Sequence, residues 1–303
     1  MTAVPEVVGE AGLAPGSPEW VRRVSPSKVA GMLGLSPWDS PYAMWRKMRG
    51  DIPWDSETEA MERGTLCEPA VLAWWRKHHE HHDWEDQATM TLGDWCVATP
   101  DGLTVHDGEH IIVEAKTSAR MERWGEPGTD QIPLYYLTQV YVAMEVARRN
   151  GIDVTATHVP VLGGYRLAFA NYVVPYSPEW GADLLARCRE FYDSLTADVP
   201  PPLDDTVATY EAVRRVHPDI ERGTEVELTY DEALTFADAL HDEDHAVRHA
   251  RLMRATVIER MGRAQFAKYD GVKIARRQPR GDAVTFVALA KHPNDIPKKD
   301  DAA

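Results

Sequence analysis

Apolar and polar positions alternate most clearly between Thr99 and Lys116, which reads T-P-D-G-L-T-V-H-D-G-E-H-I-I-V-E-A-K. Leu103 and Val105 alternate with polar neighbours, and Ile111, Ile112 and Val113 form a short apolar run. The pattern predicts two strands. Asp107-Gly108 between them suits a two-residue type I′ turn, because both residues tolerate positive φ. Such a turn sets the register: His106 faces Glu109 and Val105 faces His110. Continued outward, Asp101 faces Glu114 and Thr99 faces Lys116. Facing side chains have Cβ atoms about 5 Å apart, and a period of two puts Glu114 and Lys116 on one face. Two carboxylates and one ammonium therefore converge at the end of an apolar hairpin. Like charges placed so close need compensation, and a hard divalent cation with oxygen ligands supplies it. Any one of these residues alone is equally read as a solvated strand end.

Elsewhere the pattern is mostly helical. Ser25-Pro26 opens a helix carrying Val29, Met32 and Leu33 inward, and Gly34 stops it. A short helix over 41–48 follows, with Gly50 just past its end. Residues 57–79 read as the longest early helix, with Gly64 and Pro69 predicting a break and a proper start near Thr65. Glu68 shares a face with Leu72 and Trp75, so a core-facing carboxylate that needs a partner stands against a solvent-facing Glu before a proline. A loop over 117–133 leads to a helix over 134–149, ended by Asn150-Gly151. Strands over 154–162 and 165–174 meet at Gly163-Gly164. A helix follows from Ser177-Pro178 to about Leu195, and Val199-Pro200-Pro201-Pro202 marks a boundary. Helices over 206–216 and 230–261 and a hairpin at 272–277 and 283–289 complete the chain. The domain expectation is an arm over 1–18, a core domain over 19–203, a helical and hairpin region over 204–293, and a frayed tail over 294–303.

Composition narrows the class. With 303 residues, ten Trp and 44% hydrophobic residues, the chain suits a soluble protein with a large core. It has no apolar run of membrane-spanning length and no charged-then-apolar leader pattern, so a cytoplasmic location is expected. Cys67, Cys96 and Cys188 read as reduced thiols and fall short of the four that usually hold an iron–sulfur cluster. A net charge of −15 argues against a general nucleic-acid coat. The charge is uneven, however. Arg254, Arg260, Arg263, Lys268, Lys273, Arg276, Arg277 and Arg280 are opposed in their stretch only by Glu259 and Asp270. That segment is either a path for DNA phosphates or a solvated helix and hairpin balancing acidic neighbours.

Three other groups carry chemistry by residue type. Arg22, Arg23, Ser25 and Ser27 offer guanidinium forks, hydroxyls and helix N-terminal amides to a phosphate, or form an ordinary capped helix with surface arginines. Gln139 in an otherwise apolar helix either orients a water or phosphate, or satisfies a backbone group. His78, His79, His81 and His82, and likewise His241, His245 and His249, read better as solvated helix surface than as metal clusters.

Five blocks in order then resemble a known family. They are S-P-S-K-V-A-G-M-L-G-L-S-P-W from Ser25, R-G-T-L-C-E-P from Arg63, A-T-P-D-G-L from Ala98, V-E-A-K-T-S from Val113, and L-T-Q-V from Leu137. Together they resemble the YqaJ-type viral recombinases, relatives of lambda exonuclease in the PD-(D/E)XK nuclease superfamily. The resemblance implies an α/β (α+β) restriction-endonuclease-like core, a mixed central sheet flanked by helices, with a C-terminal helical and hairpin extension. It implies Asp101, Glu114 and the Ala115 carbonyl as ligands of Mg²⁺, with Mn²⁺ as substitute and Glu68 completing the acidic set. Lys116 would orient or activate the attacking water, and Gln139 would stand near the site. Ser27 with Arg22 or Arg23 would hold a 5′ phosphate. The implied activity is 5′-to-3′ resection of double-stranded DNA ends, beside a single-strand annealing protein, in a ring-shaped homo-oligomer and, if phage-encoded, in the host cytoplasm. A Cas4- or RecB-like nuclease, an endonuclease and an inactive DNA-end binding module are the alternatives. Neither an iron–sulfur cluster nor a membrane is expected.

Overall fold

The computed structural model describes Leu13 and residues 17–164, 167–281 and 283–297. The expected N-terminal arm and the end of the tail lie outside these residues, except for Leu13, Ser17-Pro18 and residues 294–297. The chain forms two compact units, Met1–Ile220 and Glu221–Ala303.

The first unit has helices α1 (Pro18–Arg22), α2 (Val29–Met32), α3 (Pro41–Arg49) and α4 (Glu59–His78) ahead of its sheet strands. Strands β1 (His82–Asp86), β2 (Met90–Leu92), β3 (Cys96–Ala98), β4 (Gly102–His106), β5 (Glu109–Val113) and β6 (Lys116–Ser118) follow. Then come α5 (Leu134–Arg149), β7 (Val154–Gly163), β8 (Phe169–Pro175), α6 (Pro178–Ala197) and α7 (Val207–Val216). The central sheet runs β1-β4-β5-β7-β6, with β8 also on β7. It is mixed: β4 and β5 are antiparallel, β5 and β6 both run parallel to β7, and β8 is antiparallel to it. Ile112, Leu103, Val159 and Val161 pack with Val140, Met144 and Cys188 in the main core. Trp75, Leu72, Ile111 and Val113 form a second cluster where α4 covers the sheet. The expected α/β architecture, a mixed sheet flanked by helices, is the observed one.

The hairpin forms at the expected register, from His106↔Glu109 through Gly102↔Val113. Asp107 and Gly108 have φ of 50° and 82°, as a I′ turn requires. The ladder does not continue to a Thr99–Lys116 pair. Lys116 instead pairs with Val161 of β7. The long β7 takes β5 and β6 end to end along one edge, so the chain breaks step at Glu114-Ala115.

Two further expectations are corrected. The helix over 57–79 has no break: α4 is continuous from Glu59 to His78 with Pro69 inside it. Thr58 caps its start through Met61 N, and burial of Val71, Leu72 and Trp75 offsets what the proline costs. The boundary expected at 203/204 lies instead at 220/221. Helix α7 packs Ala212 against Tyr42, Ala43 and Ile52, and Thr209 Oγ1 donates to the buried Ser40 Oγ at 2.7 Å. A chain ended after Leu203 is therefore expected to melt below one ended after Ile220. The loss of these contacts is worth roughly 2–3 kcal/mol, and calorimetry of the two truncations checks it.

The second unit contains α8 (Tyr230–Met261) and a three-stranded sheet of β9 (Phe266–Tyr269), β10 (Val272–Arg280) and β11 (Ala283–Ala288) in the order β11-β10-β9. The expected hairpin is present and longer, with Arg280 paired to Ala283. Its Asp282 lies outside the described residues. Strand β9 was not expected, since F-A-K-Y is too short to show a period. No helix among the described residues is long and apolar enough to cross a membrane.

Candidate active site

The break between β5 and β6 builds the site. Where the ladder ends, Glu114 N–H turns to the His158 carbonyl of β7 at 2.9 Å. Ala115 N–H, left without a strand partner, donates to Asp101 Oδ2 at 2.7 Å. Asp101 is thus fixed across from Glu114 by a side chain to backbone bond rather than by ladder pairing. Glu114, only 7% exposed, accepts at Oε1 from Lys116 Nζ at 2.7 Å and from Gln139 Nε2 at 2.5 Å. Alternation along β5 and β6 puts Glu114 and Lys116 on one face, and α5 lays Gln139 over it.

Glu68 on α4 faces the same charges. Its carboxyl is raised by burial, with Glu114 adding to the rise and Lys116 opposing it. Asp101 is raised more strongly, by burial first and then by Glu114, with Glu68 adding a smaller push. Burial works against the Lys116 charge, but Glu114 and Asp101 outweigh it and hold its pKa above the ordinary lysine value. Three carboxylates in one field with a single ammonium leave excess negative charge. The donors are all oxygen, the chemistry a hard divalent cation prefers, and such an ion would relieve the repulsion that raises Asp101. In this arrangement, no group of three or more His, Cys, Asp or Glu among the described residues closes around an ion.

Sequence reasoning missed Tyr136. The Lys116 ammonium lies 5.2 Å from the centre of its ring, and Trp124 packs beside that ring. Tyr136 stands three residues before Gln139, so its place on the same helix face was the available signal.

The structure does not gather all the other expected site residues here. Ser25 is buried and its Oγ lies 3.2 Å from that of the exposed Ser27. Arg23 donates to the Gly93 carbonyl at 3.2 Å, and Arg22 is exposed. Ser25 makes no capping bond. The buried Lys28 dominates this segment, donating to the carbonyls of Trp20, Val21 and Arg23 at 2.7, 3.0 and 2.7 Å. Arg276 and Arg277 belong to the second unit; Arg276 is exposed and Arg277 donates to the Gly262 carbonyl. Among the histidines, His79 and His106 bond to the Trp75 and Glu80 carbonyls, and Trp75 Nε1 bonds to His158 Nδ1. They join an aromatic cluster around Trp75, not a metal group.

Pro100-Asp101 and Glu114-Ala115-Lys116 thus stand together on a mixed sheet between helices. Residues 20–150 match the YqaJ-like viral recombinase domain. The uncharacterized protein YqaJ of Bacillus subtilis (strain 168) is 24% identical over 223 residues, 70% of this chain and 66% of that protein. Among solved structures, an alkaline exonuclease from Laribacter hongkongensis is similar at 16% identity with a TM-score of 0.46, over 59% of this chain and 90% of that one. A putative exonuclease from Eubacterium rectale is similar at 10% identity and a TM-score of 0.44, over 75% of this chain and 98% of that one.

Proposed function

We propose that the chain is a metal-dependent DNA exonuclease that resects linear double-stranded ends from 5′ to 3′. The observation that carries this reading is the Asp101–Glu114–Lys116 group, with Gln139 and Glu68 beside it, at the break between β5 and β6. Asp101, Glu114, the Ala115 carbonyl and Glu68 would hold Mg²⁺ or Mn²⁺. When bound, the ion supplies a lowered pKa for water and a clamp on phosphate oxygens. The protein's own part is positional and electrostatic. Lys116, held by Glu114 and backed by the Tyr136 ring, presents positive charge to the phosphate oxygens as negative charge grows there. Gln139 fixes the Glu114 carboxylate, leaving its conformation little freedom. Burial excludes water that would screen these charges.

Lys116→Ala is expected to lower cleavage of linear duplex by about 10²–10³-fold, the cost typical of losing one aimed donor, while DNA binding in Ca²⁺ persists. Linear and circular duplexes separate the alternatives: cut circles make the chain an endonuclease, and linear DNA bound but uncut makes it an end-binding module. We further propose that Ser27 with Arg22 or Arg23 receives the 5′ phosphate. An Arg22→Ala/Arg23→Ala chain is then expected to lose any preference for phosphorylated over hydroxyl ends. Equal rates for this chain and wild type on phosphorylated ends remove the pocket. Arg276 and Arg277 are proposed to meet the DNA backbone. A single-strand annealing partner, a ring-shaped oligomer and a cytoplasmic location belong to the same proposal and rest on the family alone.

A further inference from the structure

Helix α8 is 32 residues long, yet of its residues only Met261 is buried. Its large apolar side chains include Phe236, Leu240 and Val247, which are 62%, 50% and 48% exposed. A helix of this length with an open apolar stripe is an interaction surface. The stripe has a regular spacing. Phe236, Leu240, Glu243, Val247, Ala250, Arg254, Val257 and Met261 follow one another at alternating steps of four and three, the a and d positions of a coiled-coil seam. Two of the eight are charged, which is costly for most partners.

The order of the stripe identifies the partner that removes the cost. Laid antiparallel on a copy of itself, the stripe matches end for end about a point between Arg248 and His249. Val247 then meets Ala250 of the second copy, Leu240 meets Val257, and Phe236 reaches the end marked by Met261. Glu243 meets Arg254. Each a position faces a d position, as antiparallel pairing demands, and a two-fold axis repeats every layer. The flanks agree, since Asp244 comes beside Arg251 of the copy. The whole helix has the same polarity. From Tyr230 to His245 it carries Asp231, Glu232, Asp238, Asp242, Glu243 and Asp244 and no Lys or Arg. From Ala246 to Met261 it carries Arg248, Arg251, Arg254 and Arg260 against Glu259 alone. The helix dipole favours this order of charges only within the first and last turns, so it does not explain Asp242–Asp244 and Arg248–Arg254 in the middle. Asp244 and Arg248 also pair within the helix, which leaves Arg251 and Arg254 for the partner.

We propose that α8 pairs antiparallel with α8 of a second copy of this chain, with Glu243 and Arg254 as the layer that sets register. The test uses the full-length protein in light scattering and sedimentation over a dilution series. Wild type is expected to self-associate, with an assembly mass that halves in Glu243→Arg and in Arg254→Glu. Each places like charges in two layers and is expected to weaken association at least ~10-fold. The double variant E243R/R254E restores the opposite pairing and the wild-type mass. A parallel pair would not show this loss and recovery, because each position would then face itself and every variant would carry the same two like-charge layers. Asp244→Arg with Arg251→Asp repeats the test on the flank. Far-ultraviolet circular dichroism shows whether each variant keeps its helix. A wild type that stays monomeric, including one whose α8 folds back on its own chain, overturns the proposal. So do single variants that keep their mass and a double variant that does not regain it.

Discussion

A chain carrying Asp101→Asn is expected to lose DNA cleavage altogether and yet to melt at a higher temperature than wild type when divalent ions are chelated. Asparagine keeps the shape and the oxygen that accepts from Ala115 N–H, so the break between β5 and β6 stays closed. What disappears is a charge held above its ordinary pKa by burial and by Glu114. The sign fixes the pH dependence. A carboxyl with a raised folded pKa is protonated in both states at low pH and costs nothing there. As pH rises past the unfolded value, the unfolded chain ionises freely while the folded one resists, so stability falls. The gain from Asp101→Asn is thus small near pH 4 and large near pH 9, at about 2–4 °C for each kcal/mol recovered. Added Mg²⁺ is expected to raise the melting temperature of wild type, because it binds the folded state, and to leave the variant where it was. Thermal melts at the two pH values, with chelator and with Mg²⁺, measure all of this. A variant that still cleaves at the wild-type rate removes Asp101 from the site, and one that melts lower at pH 9 removes the repulsion.

The hairpin shows how far the sequence carried and where it stopped. Asp107-Gly108 is a local signal with a local cause, so the register from His106 to Gly102 was readable. The site itself depends on β7, which lies forty residues further on and was readable only as a strand. Its length lets it pair with β5 and β6 in succession, and nothing within residues 99–116 says so. The convergence of Asp101, Glu114 and Lys116 was therefore anticipated, but through the wrong contact: a ladder pair in place of a side chain capping a freed amide. The helix break expected at Gly64 and Pro69 failed for a related reason. Local propensity weighs about 1–3 kcal/mol against helix there, and burial of Trp75, Leu72 and Val71 against the sheet weighs more. The same limit hid α7 in the C-terminal region, because its attachment to Ser40 and Tyr42 spans most of the first unit. In the second unit the charge polarity of α8 lies in its own sequence, with most of its acidic residues before His245 and its arginines after it.

Acid is expected to remove about 3 kcal/mol of stability between pH 6.5 and pH 4 through His158. The residue is 7% exposed; burial, with His106 and His79 adding smaller pushes, lowers its pKa to about 4. Trp75 Nε1 donates to its Nδ1, a bond that needs the lone pair of the neutral ring. The unfolded chain takes up the proton near pH 6.5 and the folded chain only near pH 4. Between those values the unfolded state binds more protons, so stability is complete above pH 6.5 and lost as pH falls through the window. His79, lowered chiefly by burial, acts in the same direction. Asp101 acts in the opposite one, since its cost fades as the carboxyl of the unfolded chain takes up its proton. The measurement is therefore best made in Asp101→Asn, by urea unfolding at pH 7 and at pH 4.5 with and without His158→Gln. Glutamine can accept from Trp75 without taking up a proton. The expected result is a fall in stability on acidification that His158→Gln reduces by most of its size. An equal fall in both chains assigns the acid sensitivity to other groups and leaves His158 as packing alone.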